Sequence, residues 1–540
     1  MNPRLTKDLK LKFLGISPVF KDKTGLLNPQ EIVALSALLT FKGRSIKNLL
    51  KEINQKGENL DDKIKKILQR SSLRGHASIA TTPSLCLTYE GSKFLDSALT
   101  GIVFSSSLVS SGRRTRTEKR DIIFPIEIFK AKEAKKIYQE VSEKIINFFN
   151  FLLNQKIQKD EASKILQYGI YGTGIIQLPV ESIVLIKREY TSEKEWMPEE
   201  IGIFLQKLEE NLKSLGIDLL FPTREVAPRN IYPYPNIFKN PKETNLVRDL
   251  LKKVKLKDGS KIISLEYLPS KGLKRELESF EQKKKRVFSS LIKIRKEWLN
   301  LLPELQKILR DYNLALKVKV LSSIPWRVWG EKKRHRTCPQ IIESIYFCLE
   351  RTIKKFNKFK KQIEKKQITK NLVNQIEEVF SIPPSIKKNS TLLSQYLLTA
   401  LKSFEGYQNL IKLKIKPRDA IFLVPRGVKI DILQEYDLYN LLAGYYPLRL
   451  CQTAEEEMRR NTRREVGQIK KALQQKKVGW LAEFINPKCQ IVGFCPEEKS
   501  CGLIKKAVKN YSEQFHQEMK ANLKQRFQEK FKNETKKSRS

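Results

Sequence analysis

The order of the predicted elements indicates an α+β fold made of two tandem copies of one helix-and-sheet domain. Helical periodicity over residues 60–69 is followed by an alternating, strand-like run at 85–89, and the same order recurs at 292–309 and 314–320. Helices followed by strands favour α+β over a parallel sheet with alternating helices. The recurrence predicts an internal duplication.

A proline-rich stretch separates the two predicted copies. Residues 221–238 contain four prolines, and proline at this density disfavours both helix and sheet. We therefore predict a first, divergent repeat at 1–235, a linker with a basic helical segment at 236–290, and a second repeat at 291–510. Residues 511–540 are predicted to form a basic helical tail whose end is disordered.

Local signals predict individual elements. An Asn-Pro pair at 28–29 is typical of a capped helix start. Short apolar runs predict strands at 175–179 and 182–187. Pro339 predicts the start of a helix, which would place Ser344 about a turn and a half inside it.

The composition is strongly basic. Lysine and arginine number 104 against 59 acidic residues, which gives a formal net charge of +45. Such a charge attracts nucleic acids, anionic membranes or phosphorylated small molecules, although the lysines are dispersed as in a lysine-rich proteome. The sequence has no apolar run of about 18 residues and no segment of signal-peptide type, so we expect no membrane partner and a cytoplasmic location.

Cysteine usage fits a reducing compartment. Seven scattered cysteines do not form a secreted disulfide framework. Cys489, Cys495 and Cys501 are six residues apart, and three thiolates could ligate zinc. A structural zinc site, however, usually has four ligands that include a close pair. We therefore favour reduced thiols and predict no metal.

The densest functional signal is Arg334-His335-Arg336, which we call the signature turn, followed after seven residues by Ser344. One of only three histidines stands here between two arginines. Arginine binds phosphate bidentately and keeps its charge, so the trio suits a phosphate-bearing ligand. The alternative is a solvated basic turn in a lysine-rich chain.

The other two histidines carry weaker signals. His76 follows a glycine in Gly75-His76-Ala77-Ser78, and glycine frees the backbone to orient the imidazole. A buried or capping histidine is equally consistent with this local sequence. His516 lies on a polar helix and is interpreted as a surface or packing residue.

In their order these motifs resemble those of the flavin-dependent thymidylate synthases. The family has Arg-His-Arg, seven residues and Ser, and the signature turn and Ser344 meet that pattern. An acidic-Ala step leading to a proline-ended strand follows at 419–425. Leu448-Arg449 is then followed by Ala, Glu and Arg at 454, 457 and 459. The resemblance covers 320–510 well and 25–190 weakly, and implies two thymidylate-synthase-complementing-type domains.

The first half resembles a degenerate copy of the same domain. It has the family's Gly-His-x-Ser at 75–78, but the Arg-His-Arg expected at 101–103 is absent. Ser111 and Arg113 stand where the family's later Ser-x-Arg falls. The second half in turn has Leu309 about where the histidine is expected. The resemblance therefore implies that each half lacks a motif that the other half retains.

The resemblance implies reductive methylation of dUMP to dTMP. In the family, 5,10-methylenetetrahydrofolate supplies the carbon, and FAD reduced by NADPH supplies the hydride. The signature turn, together with His76, would hold FAD. Arg449 would polarise the pyrimidine, with His76 as the second catalytic residue. The residues expected at the nucleotide are Ser344, Arg334, Arg449, Ser111 and Arg113.

Family sites form between subunits of a homotetramer. In a fused pair we expect composite sites in which His76 meets Arg334, His335 and Arg449, and a homodimer would mimic the tetramer. Ile421 stands where the family usually has a nucleotide-binding arginine, which leaves the uracil substrate open. The alternatives are methylation of a uracil in another substrate and a non-catalytic nucleic-acid-binding derivative.

Overall fold

The computed structural model describes residues 3–22, 25–110, 116–227, 234–256 and 259–537. In this part of the chain helices predominate, and most strands belong to two four-stranded sheets. The predicted α+β class is therefore confirmed. No described helix combines the length and the apolar character that a membrane span requires.

The chain forms two compact units that are not consecutive in sequence. The first unit comprises Met1–Lys253, Ser323–Arg336 and Ile341–Ile432, and the second comprises Val254–Ser322, Thr337–Gln340 and Leu433–Ser540. The divisions expected after residues 235, 290 and 510 are not boundaries of these units. The division into successive repeats stays a prediction.

The bounds of the elements are as follows. The strands are β1 Arg4–Leu5, β2 Lys10–Ser17, β3 Phe20–Asp22, β4 Gly25–Leu27, β5 Ser84–Ser92, β6 Ser106–Val109, β7 Ile123–Phe124, β8 Tyr171–Pro179, β9 Ser260–Tyr267, β10 Leu316–Pro325, β11 Gln340–Ile342 and β12 Lys429–Asp437. The helices are α1 Pro29–Lys42, α2 Ile46–Gln55, α3 Leu60–Leu73, α4 Ser78–Thr81, α5 Lys93–Leu99, α6 Ile126–Lys130, α7 Lys132–Asn154, α8 Lys159–Ala162, α9 Val180–Ser192, α10 Glu199–Glu209, α11 Leu220–Val226, α12 Leu246–Lys253, α13 Lys271–Phe288, α14 Leu291–Tyr312, α15 Trp326–Lys332, α16 Ile345–Lys358, α17 Lys360–Glu364, α18 Lys370–Glu377, α19 Pro384–Lys387, α20 Ser390–Lys412, α21 Pro417–Ala420, α22 Leu438–Leu442, α23 Tyr445–Arg449, α24 Glu456–Gln475, α25 Lys488–Val492 and α26 Glu513–Lys537.

The two four-stranded sheets have corresponding strand orders. The first sheet is β2-β5-β8-β6 and the second is β9-β10-β12-β11. Strands β5 and β10 each continue directly into a helix of seven residues, α5 and α15. Strands β8 and β12 have nine residues each, and each also continues directly into a helix. This correspondence supports the predicted duplication.

The first long helix begins where its capping signal predicts. The Asn28 side chain accepts a hydrogen bond from Glu31 N at 3.0 Å, and the Glu31 carboxylate accepts one from Asn28 N at 2.7 Å. Gly43 ends the helix in the left-handed conformation, with φ of +61°. Both ends of α1 are therefore determined by local sequence.

Residues 182–187 were predicted to form a strand, and this prediction is wrong. They lie inside helix α9, which follows Pro179 at the end of β8. Ile183, Val184 and Ile186 are all fully buried. A short helix packed inside the core presents an apolar run that periodicity alone does not distinguish from a strand.

The predicted helix start at Pro339 is also wrong. Residues 340–342 form β11 instead, and α16 begins only at Ile345, with Ser344 as its N-cap. Backbone hydrogen bonds from Glu435 N to Pro339 O and from Glu343 N to Asp431 O hold this segment against β12. Sheet pairing here overrides the local helix signal, so Ser344 precedes the helix rather than lying inside it.

Two further predictions, for the proline-rich stretch and for the C-terminal tail, change in detail. Helix α11 contains Pro222 in its first turn, where proline is tolerated, so the stretch 221–238 is not irregular throughout. Residues 228–233 lie outside the described part. Helix α26 continues through residues predicted to be disordered, as far as Lys537, and residues 538–540 lie outside the described part.

An ion pair inside the first unit joins α9 to α11. Arg224 donates from Nε to Glu181 Oε2 at 3.0 Å and from Nη2 to Glu181 Oε1 at 2.9 Å. Both side chains are buried. Two buried charges of this kind are stable only as a hydrogen-bonded pair.

We expect Arg224→Met to lower the free energy of unfolding by about 3 kcal/mol, because Glu181 would remain buried without its partner. The double variant Arg224→Met with Glu181→Met should recover most of the loss. Urea unfolding followed by circular dichroism measures both. Equal losses in the single and double variants would contradict this explanation, because Glu181 without its partner would then cost nothing.

Candidate functional site

The signature turn lies between α15 and β11. It begins with a hydrogen bond from His335 N to Lys332 O at 3.2 Å. Arg334 and Arg336 are exposed, whereas His335 is half-buried. The preceding helix is fixed by the buried indoles of Trp326 and Trp329. Two solvent-facing guanidinium groups on a rigid base form an arrangement suited to binding an anion.

Lys333, directly before the signature turn, is buried and holds it against α5. Its ammonium group donates to the carbonyl of Ser97 and, at 3.4 Å, to that of Asp96. These are carbonyls of the last turn of α5, which lack partners within the helix. The ammonium also lies 4.6 Å from the centre of the Trp329 ring. Burial lowers the pKa of Lys333 well below its usual value, and the neighbouring charge of Arg334 lowers it further.

Gly101 lies directly against the backbone of Lys333. Its φ is +79°, and a Cβ atom at this position would approach Lys333 O to 2.8 Å. Residues 101–103 are where the first repeat would carry its own Arg-His-Arg. An arginine side chain at position 101 would therefore clash with the backbone of Lys333. This clash is a steric reason why the motif is absent at 101.

Residues at corresponding positions before β8 and β12 face each other inside the first unit. Gln167 and Pro425, each four residues before β8 or β12, form an antiparallel bridge. One residue further on, the Arg426 guanidinium lies 4.7 Å from the centre of the Tyr168 ring. An antiparallel bridge between equivalent residues is the contact expected at a local two-fold axis. This observation also supports the duplication.

A polar network accompanies α5 beside Lys333. The Tyr89 hydroxyl donates to Asp96, and Lys93 Nζ lies 3.0 Å from Asp96 Oδ2. Lys93 also donates to Ser110. Burial raises the pKa of Tyr89 well above its usual value, Asp96 adds to that effect, and the charge of Arg334 opposes it. The signature turn is therefore within electrostatic reach of this network.

Thr337, the residue after the signature turn, is held by an amide within the second unit. Thr337 donates from its hydroxyl to Asn440 Oδ1 at 3.1 Å, and Asn440 Nδ2 donates to Thr337 O at 3.3 Å. Asn440 is itself bonded to Asp437, its helix N-cap, at 2.8 Å.

Ser344 lies in a hydrogen-bonded cluster rather than at a free surface. Its side chain is buried, and its hydroxyl donates to Lys239 O at 2.6 Å. The adjacent Glu343 pairs with Arg248 through two hydrogen bonds of 2.8 Å each. The hydroxyl oxygen of Ser344 retains a lone pair that can accept a further hydrogen bond.

Arg449 is the last residue of α23 and belongs to the second unit. Its helix is anchored by Tyr445 and Tyr446, whose rings pack 5.2 Å and 4.9 Å from that of Tyr436. Burial raises the pKa of Tyr445 well above its usual value, Glu465 adds to this, and the charge of Arg449 opposes it. The half-buried guanidinium therefore lies near a rigid aromatic cluster.

The structure does not bring the remaining predicted site residues together with the signature turn. His76 is exposed between α3 and α4, after Gly75 with φ of +75°. In the part of the chain that the structure describes, the imidazole of His76 has no hydrogen-bond partner, and it is not seen to meet the signature turn. Ser111 and Arg113 lie outside the described residues.

The sequence analysis used Asp419 only as part of a family motif and did not predict its burial or its raised pKa. The side chain is buried, and neither carboxylate oxygen accepts a hydrogen bond from a described residue. The nearest cation is Arg418, whose Nε lies 3.9 Å from Asp419 Oδ2. Burial raises the pKa of Asp419 to about 7, and the charge of Arg418 opposes this rise. Sequence gives no signal for this burial.

The C-terminal cysteines and His516 have structural surroundings. Cys489 and Cys495 are buried, Cys501 is exposed, and all are free thiols. Among the described residues, no group of three or more His, Cys, Asp or Glu side chains is arranged to hold a metal ion. His516 is buried between the Tyr511 hydroxyl, 2.9 Å from Nδ1, and Glu497 O, 3.0 Å from Nε2. It is a packing residue.

Comparison with known proteins supports the resemblance over part of the chain. Residues 317–473 match the family model described as thymidylate synthase complementing protein. The matched stretch contains the signature turn, Ser344 and Arg449, whereas His76, Ser111 and Arg113 precede it.

Curated relatives agree with this match. The flavin-dependent thymidylate synthase of Pyrococcus horikoshii is 35% identical over 124 residues, which is 23% of this chain and 50% of the relative. That of Pyrococcus abyssi is 30% identical over 124 residues, with the same shares. The chain thus spans about half the length of the curated relatives it matches. A solved UMP/dUMP methylase, PolB from Streptomyces cacaoi, aligns with a TM-score of 0.31 and 11% identity, over 42% of this chain and 100% of that one.

We expect Gly101→Ala to lower the free energy of unfolding by about 3 kcal/mol, from backbone strain at positive φ and from the clash with Lys333 O. Gly43→Ala is the matched control, because Gly43 also has positive φ but nothing lies within 4 Å of its added Cβ. The control should cost about 1 kcal/mol. Chemical unfolding measures both, and equal losses would show that the contact with Lys333 contributes nothing.

The raised pKa of Asp419, about 7, predicts a pH dependence of stability. The folded chain binds a proton that the unfolded chain releases between roughly pH 4 and 7, so stability falls as pH rises through this window. Asp419→Asn should flatten this slope and raise the free energy of unfolding by about 2 kcal/mol above neutral pH. Glu140→Gln, at an exposed position on α7, is the control. An unchanged slope in Asp419→Asn would contradict the assignment.

Proposed function

We propose that this chain is an FAD-dependent methyltransferase that converts dUMP to dTMP. The proposal is supported by the match of residues 317–473 to the family model described as thymidylate synthase complementing protein and by the similarity to flavin-dependent thymidylate synthases. The observation that carries the proposal is the signature turn itself. It presents two exposed arginines and a half-buried histidine next to Lys333, which is fixed by α5.

The residues of the signature turn fit the diphosphate of FAD. Arg334 and Arg336 would bind its phosphate oxygens through bidentate hydrogen bonds, and His335 would orient the cofactor. When bound, FAD reduced by NADPH would supply the hydride, and 5,10-methylenetetrahydrofolate would supply the carbon.

Arg449 is the proposed catalytic residue of the second repeat. Its guanidinium would hold the uracil and stabilise negative charge that develops on a carbonyl oxygen, an effect that is strong where water is excluded. The tyrosine cluster beneath α23 keeps the helix rigid, which favours this role. Ser344 would contribute a hydrogen-bond acceptor to the nucleotide site.

The first repeat is proposed to complete the site. His76 is exposed and free to meet a ligand or a second copy of the chain, and it is the proposed second catalytic and cofactor-binding residue. Ser111 and Arg113 are proposed to contact the nucleotide. A homodimer would then mimic the tetramer of the family.

A second candidate function is methylation of a uracil in another substrate, such as a nucleic acid. Ile421, which stands at the usual position of a nucleotide-binding arginine, is fully buried. It therefore offers no contact to a free nucleotide phosphate. The high positive charge of the chain would attract a polyanionic substrate.

The test is a flavin-binding and turnover assay of the purified full chain. Arg334→Gln and Arg336→Gln should each weaken FAD binding by about 30-fold, the loss of one charge-assisted contact. Arg70→Gln, exposed on α3, is the control and should bind FAD normally. Absorbance titration measures the affinities. A colourless chain that never binds FAD would overturn the proposal.

Turnover separates the substrate candidates. Tritium release from labelled dUMP, with 5,10-methylenetetrahydrofolate and NADPH present, should occur in the native chain. It should fall by about 100-fold in Arg449→Lys with FAD binding retained, because the lost interaction forms mainly in the transition state. FAD binding without tritium release from dUMP would favour another uracil substrate. Normal turnover and FAD binding in His76→Ala would remove His76 from the site.

A further inference from the structure

A lysine-lined cavity of about 570 Å³ lies within the second unit, at the tip of the hairpin formed by α13 and α14. Lys284 and Lys285 come from the last turns of α13, and Lys506 and Lys509 come from the segment before α26. Gln490 of α25 contributes an amide to the wall. Three separate segments of the chain thus direct polar groups at one space.

The walls of this cavity are held in place by packing. The Phe288 ring lies so close to Gly493 that an added Cβ there would meet it at 2.5 Å. The Gln490 amide donates to Leu503 O at 2.6 Å. Trp298 of α14 packs on Phe494, with ring centres 5.0 Å apart. The lysines therefore project from a fixed framework rather than from loose loops.

The charge around the cavity is unbalanced. Residues 281–296 contain seven basic residues and one acidic residue, and residues 503–511 contain three lysines and no acidic residue. Glu281 is paired with Lys284, and Lys283, Arg286 and Arg295 are paired with glutamates outside this window. Within the described part of the chain, Lys285, Lys506 and Lys509 have no acidic partner. Ammonium groups gathered in this way repel each other, and an anion between them relieves the repulsion.

We propose that this cavity binds the phosphodiester backbone of a nucleic acid. Because Glu281 already compensates Lys284, the other three lysines carry one more positive charge than a phosphate dianion can neutralise. A nucleic-acid backbone carries a negative charge on every nucleotide, so successive phosphates match cations spread along both segments. This site is independent of the signature turn and of the proposed methylation.

The test is fluorescence anisotropy of a labelled single-stranded RNA of about 20 nucleotides, titrated with the full chain over a series of KCl concentrations. The variant replaces Lys284, Lys285, Lys506 and Lys509 by Gln. A control variant replaces four exposed lysines of the first unit by Gln, namely Lys47, Lys51, Lys65 and Lys213. Far-ultraviolet circular dichroism and thermal unfolding of both variants report whether the chain is folded.

The cavity variant should bind the RNA about 100-fold more weakly, and its slope of log affinity against log salt should be shallower by about 3, as expected for four lost phosphate contacts. The control variant should bind like the native chain. Equal losses in both variants would overturn the proposal, because net charge alone would then explain binding. Displacement of the RNA by polyglutamate or tripolyphosphate at equal charge concentration would overturn it as well, since the site would then accept any anion.

Discussion

The contact between the Lys333 ammonium and the last carbonyls of α5 is the interaction on which the site depends. It joins the residue before the signature turn to the helix that follows the central strand of the first sheet. A buried ammonium loses its hydration, so it is stable only where several carbonyl dipoles replace the water. Because α5 provides these carbonyls, the residue directly before the signature turn is held against this helix.

Gly101 shows what this arrangement requires of the first repeat. The backbone of Lys333 occupies the space in which a side chain at 101 would lie. The contact that holds the backbone before Arg334-His335-Arg336 therefore excludes a side chain at position 101.

The two anion-binding surfaces proposed for this chain differ in their chemistry. The signature turn uses arginines, whose planar guanidinium groups suit a defined diphosphate. The cavity of the second unit uses lysines, which act as point charges and suit a repeating backbone. The excess of basic residues thus has at least one local concentration, at 281–296 and 503–511, rather than being spread evenly over the surface.

The sequence by itself determined the α+β class, the capped start of α1, the repeated order of elements and the motif residues of the family. These features depend on local periodicity and on residue identity, which are visible without coordinates. Only the tertiary structure decided that 182–187 is a helix and that Ser344 precedes α16, because burial and sheet pairing override local preference. It also revealed the partners of Lys333 and the burial of Asp419. Contacts between residues more than 200 positions apart leave no local signal, and the contact of Lys333 with Ser97 and Gly101 is of that kind.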